Sequence, residues 1–212
     1  MVTRRYACIG SRETPEDIMK LTVRFANILA ELGYAVYSGG CPEGMDAAGY
    51  RGAYSHPTSD KSKNRIYISW EGMSGFRHNP PFGIFCPQNH FDNYQTAHDM
   101  GLSARGTWAG LKRGGIAHHS RNPYQPLGDD LNSPVDFVLT WAKYAKKGAP
   151  YVTGGTATAV AIAIEHNIPI YNLIDPELAD RIEYFCNVVS AQQKEKRIRN
   201  GQLLTQDVST AG

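Results

Sequence analysis

No apolar run in this chain approaches the roughly 18 residues of a membrane-spanning helix. Cysteine is sparse: Cys8, Cys41, Cys86 and Cys186 are scattered, with no C-x-x-C pair among them. They read as reduced, small core residues of a cytosolic protein. An excess of one charge is also missing. The formal net charge is +2, which argues against a broad electrostatic surface for duplex DNA and leaves only a local basic patch open. No long internal repeat is visible. The N-terminal Met1-Val2-Thr3-Arg4-Arg5 leads straight into a strand, so no signal peptide is read there. What the chain does have is ordinary globular material: 212 residues, 42% hydrophobic and 20% charged, enough for one large domain with a real core.

Two glycine-rich strand-to-helix junctions stand out against that background. The first is Ala35-Val36-Tyr37-Ser38-Gly39-Gly40, followed by Gly44-Met45-Asp46-Ala47-Ala48. The second is Tyr151-Val152-Thr153-Gly154-Gly155-Thr156-Ala157-Thr158, followed by an apolar run to Ile164. Glycine lets backbone approach a ligand, and the free N–H groups at a helix start favour an anion such as phosphate. The pair predicts one nucleotide site, or two phosphate sites, on an α/β sheet.

The surrounding pattern supports such a sheet. Tyr6–Gly10 reads as a buried strand. Thr14 is placed as an N-cap with Pro15 at N1, and Ile18, Leu21, Phe25, Ile28, Leu29 and Leu32 mark a helical face that Gly33 ends. Further strands are expected at 34–37, 64–70, 135–141 and 168–173, with helices at 46–54, within 96–114, at 156–166 and at 180–189. The order predicts a Rossmann-like, doubly wound fold: a mostly parallel sheet with helices on both faces. Residues 1–190 are expected to form the domain, with an aromatic, Gly- and Pro-rich insertion at about 71–120 whose first part, 71 to about 95, reads as a long ordered loop or a small insertion. Residues 191–212 form a polar tail, loosely packed or an interaction arm.

Several short motifs together resemble the SLOG superfamily of Rossmann-like proteins: Ile9-Gly10-Ser11-Arg12, Ser38-Gly39-Gly40 with Gly44-Met45-Asp46, Arg121-Asn122, Val135-Asp136-Phe137, and Thr153 to Thr158. That group includes the DNA-processing protein A family and the lonely-guy phosphoribohydrolases, and the chain looks most like its uncharacterised phage and bacterial members. The resemblance spans roughly residues 4–175 and implies nucleotide binding, with a homo-oligomer as the expected assembly. Lonely-guy enzymes carry Gly-Gly-x-Gly-Thr-x-x-Glu-Glu at the second junction. Here the phosphate-cradling part is kept, Ala157 replaces a glycine, and Val160 and Ala161 stand in place of the two glutamates. That departure puts the hydrolytic chemistry in doubt. Arg121 matches the arginine those enzymes use, and Pro123 replaces the second arginine of the Arg-Asn-Arg segment of the DNA-processing family.

The expected ligand-binding set is Gly10, Ser11, Arg12, Ser38, Gly39, Gly40, Gly44, Arg121, Asn122, Gly154, Gly155, Thr156 and Thr158. Each has a plainer alternative. The first glycines also serve a tight turn, the hydroxyls also serve as N-caps, and Arg12 also serves as a solvated surface residue. Cleaving an N-glycosidic bond needs a carboxylate near the sugar. Glu43, Asp46, Glu71 and Asp136 are the acids available, with Asp46 and Glu71 as the leading catalytic candidates. His118-His119 shows no metal-ligand spacing, so neither a metal nor a cofactor is expected. Trp70, Phe76, Phe82, Phe85, Phe91 and Tyr94 either pack the insertion or line a base-stacking pocket, and Lys143, Lys146 and Lys147 form a solvated basic loop. Three functions follow: a nucleotide-binding enzyme acting at an N-glycosidic bond, a non-catalytic nucleotide sensor, or a single-stranded DNA binder. A small nucleotide is the favoured partner, nucleic acid is allowed but less favoured, and no membrane partner is expected.

Overall fold

The computed structural model describes residues 4–146 and 150–209, with the side chains of 197 and 201–209 left aside. Met1-Val2-Thr3, Lys147 and the last three residues of the tail lie outside the described residues. The elements run β1 (Arg5–Gly10), α1 (Glu16–Glu31), β2 (Ala35–Ser38), α2 (Gly44–Ser55), β3 (Arg65–Tyr67), β4 (Ile84–Phe85), α3 (Pro87–His90), α4 (Tyr94–Arg105), α5 (Arg113–Arg121), α6 (Tyr124–Leu127), β5 (Phe137–Trp141), α7 (Ala157–Glu165), β6 (Ile170–Asn172) and α8 (Pro176–Ser209).

Strand alternation builds two cores. In β1, Tyr6 and Cys8 face one layer while Ala7 and Ile9 face the other, and all four are buried, as a strand covered on both sides requires. One layer packs Leu29, Val36, Met45 and Leu139 beneath α1 and α2, with α8 laid against α1. The opposite layer packs Tyr67, Tyr124, Val138 and Ile162 beneath α4, α6 and α7. The strands pair in parallel in the order β4-β3-β2-β1-β5-β6. The chain therefore winds outward from β1 to β4, then returns to the other side of β1 as β5. This is the doubly wound α/β fold. Where the winding reverses, between β1 and β5, the connections leave in opposite directions and open a crevice at the carboxyl ends of the strands. Among the described residues no helix is long and apolar enough to cross a membrane.

Local departures from the expected pattern have identifiable causes. Thr14 does not cap α1; its hydroxyl donates to the Ser11 carbonyl at 2.6 Å and closes the β1–α1 turn, so Pro15 takes the cap position. The third strand is shorter than 64–70, covering Arg65–Tyr67; at its start the buried Asn64 accepts the Val36 N–H through its side chain at 2.9 Å instead of extending the ladder. The 71–95 stretch carries the edge strand β4 and the short helix α3, and the helix expected within 96–114 is present as α4, which begins at Tyr94 and is followed by α5. The final helix, expected to stop at 189, continues to Ser209. Asp136 lies at the amino edge of the sheet, exposed, where its Oδ2 accepts the Arg5 N–H at 2.8 Å.

Candidate functional site

A cavity of about 720 Å³ occupies the crevice between the ends of β1 and β5. Its size falls in the range of small-molecule sites. Five segments build it: the β2–α2 loop gives Cys41, Pro42, Glu43 and Asp46, the stretch after β3 gives Trp70 and Gly72 to Ser74, and three more complete it. The turn after β1 supplies Gly10, Ser11 and Arg12, and its Ser11 N–H bonds back to the Trp141 carbonyl at 2.9 Å, which fixes the turn over β5. The turn before α7 supplies Thr153 to Thr156. The end of α5 supplies His118, His119, Arg121 and Asn122.

Arg121 is the centre of the site. It is 3% exposed. Its Nε donates to the Ser69 hydroxyl at 3.3 Å. Gln125, with its amide oxygen turned inward, accepts from the guanidinium and from the Gly39 N–H at 3.0 Å. A side chain at Gly39 would overlap the guanidinium, so glycine is what lets β2 pass the arginine. Both of these partners are neutral. Among the described residues no carboxylate lies within 4.0 Å of Arg121. A buried guanidinium without a bonded counter-ion is costly, and a cavity beside it is a place for an anion.

Asp46 supplies the counter-charge at longer range. It is 4% exposed and lines the cavity, and its Oδ1 has no partner. Burial pushes its carboxyl above the usual range, against the opposing pull of Arg121, the Cys41 thiol and the Gly39 and Cys41 N–H groups. The same burial, together with Asp46, pushes the Cys41 thiol up to about 12.

The turn before α7 is open. Gly154 has φ +80°, and a side-chain carbon added at Gly154 or Gly155 would meet nothing within 4 Å. The Ala157 N–H donates to the Gly154 carbonyl at 3.2 Å, and the next two N–H groups, of Thr158 and Ala159, have no intrahelical acceptor. The Asn122 side-chain amide donates to the Gly155 carbonyl at 2.9 Å and ties this turn to α5. A second tie joins His119 Nδ1 and the Thr158 hydroxyl at 2.6 Å.

The expected residues divide accordingly. Gly10, Ser11, Arg12, Asp46, Arg121, Asn122, Gly154, Gly155 and Thr156 line the cavity. Ser38, Gly39, Gly40, Gly44 and Thr158 lie behind its wall. Ser38 is fully buried with its hydroxyl on the Asp46 carbonyl at 3.4 Å, and Thr158 holds His119. Glu71 is outside the cavity lining. It pairs with His90 at 3.2 Å and accepts the His78 N–H at 3.1 Å, contacts that hold its carboxyl below the usual range. Glu43 stands among the lining residues. Of the aromatics, Trp70 reaches the cavity, whereas Phe85 and Phe91 pack in the core and Phe76 meets Tyr50 edge-on. Lys143 pairs with Glu13 at the surface, at 3.0 Å. Gln125 and Ser69 escaped the sequence reading. Neither sits in a motif; Ser69 meets Arg121 through the fold, and Gln125 meets it from one turn further along the chain. Among the described residues no three His, Cys, Asp or Glu side chains cluster closely enough to hold a metal ion.

No protein-family model matches this chain, and no curated protein matches it. It is similar to a solved structure of DNA processing protein A from Helicobacter pylori, a study of that protein's single-stranded DNA binding mode. The match covers 90% of this chain and 81% of the other at 17% identity, with a TM-score of 0.48. At that level the likeness assigns no residue and no activity here.

Proposed function

We propose that this protein binds a phosphate-bearing nucleotide in the cavity between β1 and β5. The observation that carries this reading is Arg121: buried, held by neutral partners, and facing a cavity whose other wall is an open helix N-terminus. A phosphate on the Gly154–Thr156 turn would take first-turn N–H groups and the Thr156 hydroxyl, while Arg121 and Arg12 neutralise it. The Trp70 ring, 39% exposed at the cavity, offers a face for the base. The resemblance to SLOG proteins fits the same ligand class.

Chemistry at the N-glycosidic bond is the second reading. Its support is Asp46, which lines the cavity and whose buried Oδ1 has no hydrogen-bond partner. A carboxylate near the anomeric carbon stabilises an oxocarbenium-like state or orients the attacking water. Val160 and Ala161, in place of the two acids, weigh toward binding without turnover.

The test is a panel of nucleoside mono- and diphosphates, cyclic nucleotides, dinucleotides and a thymidine oligomer, read by melting temperature and by chromatography for free base. A ligand at 100 times its Kd stabilises by about 2.7 kcal/mol, which is roughly 5–10 °C for a chain of this size. Arg121→Gln should weaken the response about 10–100-fold. An unchanged response in that variant sinks the assignment. Base release lost in Asp46→Asn, with binding kept, establishes the glycosidic reaction. DNA processing protein A from Helicobacter pylori binds single-stranded DNA, so the oligomer is a necessary arm. Salt-dependent binding of the oligomer with no response to mononucleotides transfers the site to single-stranded DNA.

A further inference from the structure

His118 lies on the cavity wall between Arg121 and Trp70, and its hydrogen bonds leave little freedom of protonation. Its Nδ1 is 2.8 Å from the Ser69 hydroxyl. That hydroxyl already accepts from Arg121 Nε at 3.3 Å. Arginine has only donors and never gives up its proton. Ser69 is buried and its hydroxyl has no other partner among the described residues, so its proton is satisfied only by pointing at His118 Nδ1, which makes that nitrogen the accepting one. The ring proton sits on Nε2. That atom has no protein partner and is not among the buried unpaired polar atoms, so it opens onto the cavity. The Trp70 ring stands beside it, 4.8 Å between centroids and tilted by 52°.

We propose that His118 is a fixed, uncharged hydrogen-bond donor that reads an acceptor atom on the nucleotide's base while Trp70 covers the base's face. Ser69 is the positioning residue that sets the tautomer. This rests on the nucleotide reading above and names the part of the ligand that the phosphate-binding turn does not reach. The charges around the ring agree with an uncharged imidazole. Arg121 and His119 on α5 and Arg12 from the β1–α1 turn all oppose a proton there, and with burial they push the pKa of His118 down to about 4. A cationic histidine would add to phosphate binding. A neutral one adds a directional donor and leaves the phosphate to the arginines.

The experiment has a ligand-free arm and a binding arm. Nitrogen NMR of the intact protein at pH 7 should show His118 with its proton on Nε2, unchanged down to pH 5. Ser69→Ala should mix the tautomers. A charged ring at pH 7, or a proton on Nδ1, overturns the proposal whatever the ligand proves to be. In the binding arm, His118→Phe should weaken the best nucleotide of the panel about 5–20-fold, in line with loss of one neutral hydrogen bond, and leave ribose 5-phosphate unchanged. His118→Gln, which keeps an N–H near the Nε2 position, should recover part of the loss. An equal loss for both ligands moves His118 to the phosphate and refutes base reading alone. If the wild-type protein binds neither ligand, the nucleotide reading itself fails and takes this inference with it.

Discussion

The two glycine junctions look alike as strings of residues and behave oppositely as structures. At the first, the space that glycine leaves is filled by the protein. A side chain at Gly39 would strike the Arg121 guanidinium, one at Gly44 the Ser11 carbonyl, and one at Gly40 would come within 2.9 Å of Ile66. The Met45 N–H at the start of α2 points to the Ser11 carbonyl at 3.4 Å. The Gly39 N–H is taken by the Gln125 amide oxygen at 3.0 Å, so this donor is met by the chain itself. At the second junction the same space is empty around Gly154 and Gly155. Glycine before a helix therefore marks close approach without saying what approaches. At one junction it is a neighbouring segment of the same chain, and at the other it is the proposed ligand.

That contrast is easiest to break by adding a single methyl group. Gly44→Ala should be the most damaging change. Gly44 has φ +69°, and the added carbon would overlap backbone, which cannot swing away. The positive φ costs about 1–2 kcal/mol and the overlap about 1–3 kcal/mol more. Chemical denaturation should read a loss of about 2–5 kcal/mol. A loss below about 0.5 kcal/mol would mean that the first junction is looser than its geometry and free to take a ligand.

Gly155→Ala should do the reverse. Nothing lies within 4 Å of the added carbon, and the backbone there is not left-handed. Stability should stay within about 0.5 kcal/mol of wild type. Nucleotide affinity should fall several-fold, because the methyl group enters the space proposed for the phosphate. Calorimetry on a folded, equally stable variant separates the two effects. Unchanged affinity would show that the phosphate lies elsewhere.

Much of the frame behind this contrast was readable from the residues, and the reasons for the rest are physical. Buried strands such as Tyr6–Gly10 and periodic helices such as α1 announce themselves locally, which is why the doubly wound α/β order could be laid out from sequence. The order of strands places the crevice, and with it Ser11, Arg12 and Gly154–Thr156, at one edge. What fills the first junction could not be read. Arg121 is more than 80 residues from Gly39, and nothing in either segment names the other. Ser69, 52 residues away, is hidden by sequence distance, whereas Gln125, one helical turn on from Arg121, is hidden because it belongs to no motif. The 71–120 segment misled for another reason. Its strand β4 has two residues, and its helices carry short, mixed faces, so periodicity had little to act on. Glu71 is one of the acids that the sequence offers, but the fold turns it toward His78 and His90, outside the cavity lining.

The smallest expected effect sharpens the comparison from the side of charge. The open junction stands beside cations, Arg121 and Arg12, with His118 kept neutral among them. Burial and these cations depress the pKa of His118 from its ordinary 6.5 to about 4, and His119 is depressed in the same direction by burial, Arg105 and Arg121. In the unfolded chain both rings take up protons near pH 6.5, while the folded protein resists. The unfolded state then binds more protons, so stability falls as pH drops from about 6.5 toward 4 and is level above that window. The half-exposed position of His118 keeps the change modest, because solvent screens its neighbours. A bound phosphate should reverse part of this loss by lending negative charge to the cluster. Melting curves at pH 7, 6 and 5, with and without the best nucleotide, measure both parts. A ligand-induced stabilisation that shrinks on acidification, after correction for the ligand's own protonation, would place the phosphate away from His118 and Arg121.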